Sequence, residues 1–319
     1  MSFIKQFEVN IENGLTLLNT AERDNFIKDK ITFFSAYKNY SSKVEHLAFI
    51  QEILDMYDYD NTNATFDTFK IACVQGFNLT NHKKKMVMYY DLVIMMGTVF
   101  LNVFDLPNNR LDHVTEGISG PIDTGNMFLK AYRELEDCKA TNGRAYGATL
   151  ILATLLEKDL KTRIKFLYAQ EYLKAINNQV ANGGLTLTHD EADLVAYLNV
   201  YYELSNSPSN AIYDSVYATT SAFYKLLEKH LIINPLDSEV RKMLLDKFTL
   251  NPFLDSKLYQ AKVDPRFVRI TQLLFNGDKL NLRNNLAHCN FGYINYYNLS
   301  ITALLYSLYY MVSYDYFLI

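Results

Sequence analysis

The chain of 319 residues has no tryptophan, only six prolines and only twelve glycines. So few breakers leave little room for the frequent tight turns of an all-β protein. No hairpin dipeptide lies between alternating apolar runs, and no strand–glycine-loop–helix unit appears, which argues against a nucleotide-binding α/β sheet. Cysteine is scarce too. Cys73, Cys138 and Cys289 are odd in number, far apart, and form no CxxC pair. That pattern points to neither a disulfide framework nor a zinc knuckle, and it suits reduced thiols in a cytoplasmic protein. An excess of positive charge is also missing, since the formal charge is −4. A protein that coats nucleic acid along its whole surface is excluded, and any phosphate contact must be local. The first residues, MSFIKQFEVNIENG, lack the apolar core and small-residue cleavage site of a secretory signal. The Asn-x-Ser/Thr triplets at Asn63, Asn78 and Asn298 therefore carry no functional weight.

What the chain does have is helical periodicity. Nearly half of it is hydrophobic, which suits a large buried core. The spacing of apolar residues predicts amphipathic helices near 2–12, 20–40, 42–57, 64–76 and 82–103. A loop signature of Gly, Pro, Asn and Asp follows at 106–126. It divides the expected all-α fold into an N-terminal helical region, 1–120, and a C-terminal helical domain, 125–319. Residues 144–180 read as one long or kinked helix, ended by ANGGLTL. Thr188 and Glu191 fit a capping box for a helix over 189–204. Further helices are expected from Ser209 to about His230, and from Pro235–Asp237 to Phe248. Asp264-Pro265 signals another start, with Gly277 as its stop, and a last helix runs from about Tyr293 to the end. Two apolar stretches, 86–106 and 299–319, approach membrane-spanning length. Asp91, Asp105, Asp315 and the many tyrosines favour buried core helices instead.

One polar stretch stands out near the C-terminus: GDKLNLRNNLAHCNFGY, residues 277–293. On a helix Asn284 and His288 lie one turn apart on one face, with Arg283 beside Asn284. Histidine titrates near neutrality and moves protons. Arginine stays charged and can fork onto a phosphate. Asparagine can orient a phosphate, a hydroxyl or the arginine. Together they suit metal-free cleavage of a phosphodiester with a neighbouring 2′-hydroxyl, with His288 handling the proton and Arg283 stabilising charge on the phosphate. The spacing alone is common: nine arginines and six histidines produce it by chance in roughly half of such chains.

The context is more specific. Leu280-Asn281-Leu282-Arg283-Asn284 with Ala287-His288 resembles the RNxxxH signature of the HEPN superfamily (higher eukaryotes and prokaryotes nucleotide-binding), in a prokaryotic branch whose motif runs close to NLRNxxAHG. The chain departs from it at Cys289, where that branch usually has glycine. GATLILATLLEKDLKTRI, 147–164, is similar to the core helix that precedes the motif. The resemblance covers about 125–319. It implies a helical bundle that dimerises with two motifs facing across the axis. It also implies a metal-independent ribonuclease of a toxin–antitoxin or phage-defence kind, leaving a cyclic phosphate. Some relatives are instead inactive modules that bind nucleotide, RNA or a partner protein. The expected partners are RNA, a second copy of the chain, and an antitoxin or other regulatory protein, with no membrane, cofactor or metal.

Further candidates lie outside these three residues. Glu157 interrupts an apolar helix and would orient Arg283 or His288, pair with Lys161 one turn on, or simply be exposed. From 257 to 288 six cations (Lys257, Lys262, Arg266, Arg269, Lys279, Arg283) face two carboxylates (Asp264, Asp278). That local excess favours a phosphate-bearing ligand and makes Lys279 and Arg269 the substrate-binding candidates. Arg144 and Arg163 are weaker RNA-contact candidates. The remaining histidines show no metal-ligand spacing.

Overall fold

The computed structural model describes residues 124–141, 143–204, 216–230, 238–244, 250–289, 295–313 and 317–319, with Lys28, Ile232 and scattered positions between 89 and 101. Among these the fold is all-α. Ten helices are α1 (Thr124–Thr141), α2 (Tyr146–Ala181), α3 (His189–Leu204), α4 (Val216–Lys229), α5 (Ser238–Leu244), α6 (Leu250–Leu254), α7 (Lys257–Gln260), α8 (Pro265–Phe275), α9 (Leu282–Ala287) and α10 (Leu299–Ser313). The described residues between 89 and 101 are also helical, as the reading of 82–103 expects. The other N-terminal helices lie outside the described residues, save that Lys28 is helical. Among the described residues the only extended pairing is one antiparallel bridge, Val263 with Leu318. No described helix is long and apolar enough to cross a membrane.

The described residues group into two units. One takes those of 1–110 with 127–156 and 263–319; the other takes those of 111–126 with 157–262. The expected boundary loop at 106–126 is outside the described residues up to 123.

The first unit is organised around α10. Every residue from Ser300 to Val312 is buried. A helix apolar all round must be surrounded, and here it is. Phe128 and Tyr132 of α1 meet it, with ring centroids 5.3 Å (Phe128–Tyr306), 4.9 Å (Phe128–Tyr309) and 5.9 Å (Tyr132–Tyr306) apart. Phe128, Ala131, Tyr132 and Leu135 are buried at the three- and four-residue spacing of one helix face. The helical residues near 97 approach α10 so closely that a Cβ on Gly97 would overlap the Ser300 backbone. Hydroxyls are matched against α10, half-buried Thr98 with Ser300 at 2.9 Å and buried Thr149 of α2 with Thr302 at 2.7 Å.

α10 also corrects one boundary. The last helix begins at Leu299, not near Tyr293, because Asn298 takes the capping position and its Oδ1 accepts from the Ser300 amide at 2.8 Å. It is described to Ser313, and Phe317–Ile319 are not helical. There the Phe317 carbonyl accepts the Asp264 amide at 2.8 Å, tying the tail to the start of α8. That start follows the expected signal: Asp264 caps, its carboxylate accepting from the Arg266 amide, and Pro265 opens the helix. The stop differs. α8 ends in an extended Asn276, and Gly277 adopts no left-handed conformation.

In the second unit α2 runs unbroken to Ala181, and Gly183, at φ +70°, turns the chain after it. α3 opens with the expected capping box: the Thr188 amide reaches Glu191 Oε2 at 2.9 Å, and the Glu191 amide reaches Thr188 Oγ1 at 3.4 Å. Glu191 does more than cap, since Oε1 also accepts from Lys229 Nζ at 2.6 Å at the end of α4. The Lys229 ammonium, the Thr188 amide and His230 together hold its carboxyl down at about 2. α4 is described from Val216, so the expected start at Ser209 lies outside the described residues, and α5 spans Ser238–Leu244 within the expected 235–248. The short helices α6 and α7 and the long α1 were not anticipated. α7 owes its start to Ser256, whose Oγ accepts from the Tyr259 amide at 3.1 Å.

Three outcomes follow for stability. Gly97→Ala should lower unfolding free energy by about 3 kcal/mol, because the clash is with main chain that cannot step aside; an unchanged melting curve would refute the close approach. Thr188→Ala should cost about 1 kcal/mol as a lost cap. Because the folded pKa of Glu191 is lowered from 4.5 to about 2, its contribution is present above 4.5 and lost as pH falls towards 2. Acid titration of stability should therefore be shallower in Glu191→Gln across that window.

Candidate functional site

The motif lies on α9, a helix of only six residues. Its orientation follows from two leucines. Leu282 and Leu286 are one turn apart and both buried. That sets Arg283 and His288 on the exposed side, with Asn284 half-buried between them. The chain enters through Asn281, left-handed at φ +44°, in the N-cap position without a side-chain cap bond. Asn281, and not Asn284, thus holds the N-cap position. Asn284 sits three residues into the turn, where its carbonyl accepts the His288 amide at 3.0 Å. His288 is the C-cap.

Cys289 then turns left-handed, at φ +50°. This is the backbone state that favours glycine. The second asparagine of the pair is the structural one. Asn285 donates to the Leu280 carbonyl at 2.9 Å and to the Tyr296 hydroxyl at 2.7 Å, fastening α9 to the loop before it and the turn after it. Burial pushes the Tyr296 phenol up to about 12, partly opposed by the bond from Asn285.

The end of α9 is also held by the start of α2. The Tyr146 hydroxyl lies 3.4 Å from the Leu286 carbonyl and 3.7 Å from Cys289 Sγ. The contact with the thiol, then burial, raises the Tyr146 phenol above its ordinary value. Tyr146 meets Tyr297 edge-on at 5.5 Å, and the Arg144 guanidinium lies over the Tyr297 ring at 5.6 Å. The Ala145 amide donates to the Tyr297 carbonyl at 3.3 Å. Tyr146 and Tyr297 were not anticipated at the site. Their only signal in the sequence is that one opens the core helix and the other follows the motif.

The other candidates divide. Glu157 takes Lys161 as a partner, Nζ to Oε1 at 2.6 Å, which is the ordinary pairing one turn along a helix. Arg163 is buried. The local excess of cations is smaller in three dimensions than along the chain. Arg266 forks onto Asp264 with both bonds at 2.9 Å, and Lys262 is paired with Glu171. Lys257 and Lys262 belong to the second unit, while Arg269, Lys279 and Arg283 belong to the first. Arg269 and Lys279 are half-buried, on α8 and in the turn that leads to α9. Among the described residues no group of three or more His, Cys, Asp or Glu is placed to hold a metal ion.

The fold class is thus an all-α protein with a short polar turn set between two buried core helices. Comparison with protein-family models, curated proteins and solved structures finds no match to the chain.

Replacing Cys289 by glycine should relieve the left-handed strain and raise stability by roughly 1 kcal/mol. A fall in melting temperature for Cys289→Gly would show that the thiol contributes more than the backbone conformation costs.

Proposed function

We propose that the protein is a metal-independent endoribonuclease of the HEPN type, working as a homodimer. The reading rests on the motif and its turn: Arg283 and His288 on the exposed side, Asn284 between them, and a left-handed residue closing the turn where the resembled branch carries glycine. In the proposed reaction the 2′-oxygen attacks the adjacent phosphorus and the bond to the 5′-oxygen breaks. The products are a 2′,3′-cyclic phosphate and a free 5′-hydroxyl. His288 moves the proton between the attacking and leaving oxygens. Arg283 stabilises the charge that builds on the phosphate, and Asn284 orients it. Arg269 and Lys279 contribute positive charge along the RNA backbone. A turn of six residues offers one wall of a site, and the same turn of a second copy would supply the other. A setting in toxin–antitoxin or phage-defence systems, with a restraining partner, goes with this reading.

The test is incubation of purified protein with total RNA in EDTA, beside His288→Ala and Arg283→Ala. Wild type should cut, and each variant should lose about a hundredfold or more of the rate while staying folded. Folded wild type that binds RNA yet leaves it intact would assign the turn to the alternative, a non-catalytic module that binds nucleotide, RNA or a partner protein.

A further inference from the structure

The arrangement around Tyr297 goes beyond the three motif residues. Resting on the ribonuclease reading, we propose that Arg144, Tyr297 and Tyr146 form a base-stacking subsite, which takes a nucleobase of single-stranded RNA next to the phosphate held at Arg283 and His288.

Three observations carry it. First, the geometry is layered. The Arg144 guanidinium lies 5.6 Å over the Tyr297 ring, within the range at which a cation and an aromatic face attract. Arg144 is exposed, and a planar guanidinium backed by a ring is the kind of surface on which unpaired bases stack. Second, the Tyr297 ring is held in place rather than swinging freely. Tyr146 braces Tyr297 edge-on at 5.5 Å, and the Ala145 amide is bonded to the Tyr297 carbonyl. Packing that fixes a planar group lowers the ordering cost when a base settles on it. Third, the platform is fastened to the motif. The Tyr146 hydroxyl reaches the Leu286 carbonyl at 3.4 Å, two residues before His288. All of these residues belong to the first unit, so the platform and the turn form part of one packed body.

Division of labour follows. The motif handles phosphate and proton, which every nucleotide has. The platform grips a π-face, which every base has, and grips stacked purines more strongly than pyrimidines. It confines the site to unpaired RNA, because a base inside a duplex has both faces covered.

The experiment measures binding of a short fluorescein-labelled 2′-O-methyl RNA, which lacks the attacking hydroxyl, to full-length protein by anisotropy. Tyr297→Leu and Arg144→Gln should each bind about tenfold more weakly, while Tyr297→Phe keeps wild-type affinity. Tyr297→Leu should also leave the salt dependence of binding unchanged, since it removes stacking and no phosphate contact. Melting curves confirm folding, and Tyr297→Phe separates the ring from its hydroxyl should the leucine variant unfold. Wild-type affinity in both Tyr297→Leu and Arg144→Gln overturns the subsite and leaves the ribonuclease reading standing. Failure of the wild type itself to bind the RNA overturns both.

Discussion

A helix buried on every side is the constraint from which the first unit follows. From Ser300 to Val312 no residue of α10 faces water. Such a helix has no polar face to set its rotation, so packing and a few hydroxyl pairs must do so. Thr149 with Thr302 and Thr98 with Ser300 supply fixed points, because a hydrogen bond between hydroxyls of two helices forms only at one register. The absence of a side chain at Gly97 lets a neighbouring helix come to backbone contact. Tyr306 and Tyr309 fill the opposite side against α1.

The polar turn inherits its position from that core. α9 is too short to persist alone, since an isolated helix of six residues does not repay its nucleation. It exists because Leu282 and Leu286 are pulled into the core, because Asn285 bridges the Leu280 carbonyl and Tyr296, and because Tyr146 closes its end. Two left-handed residues, Asn281 and Cys289, bracket it. Each is strained for a side chain larger than glycine, and each turns the chain sharply enough to put a polar corner on an apolar bundle. A precise corner held by surrounding packing is what a site for positioned charges requires.

Much of the helical plan was legible along the chain. Local signals that depend on neighbours in sequence read well: the long α2, the capping box of Thr188 and Glu191, and the Asp264-Pro265 start all appear as written. Signals that depend on what lies across the fold did not. Gly277 directly follows the end of α8 as the stop signal expects, but the exit runs through an extended Asn276 and not a left-handed glycine. Six cations stand near the motif along the chain, and one of them, Lys262, is taken up across the fold by Glu171. Glu171 is 91 residues away from Lys262, beyond any local pattern. Glu157 could not be assigned among three readings until its geometry with Lys161 was seen.

By itself the sequence determined that this is a helical protein, where several helices start, and that Arg283, Asn284 and His288 share one turn. Those facts rest on periodicity and capping, which act within a few residues. Only the tertiary structure decided which asparagine is structural, that Cys289 stands in a glycine's backbone state, and that Arg144, Tyr146 and Tyr297 gather beside the motif. The first two are local geometry that residue type does not specify; the third rests on contacts such as Tyr146 to Leu286, 140 positions apart, for which the chain carries no local signal.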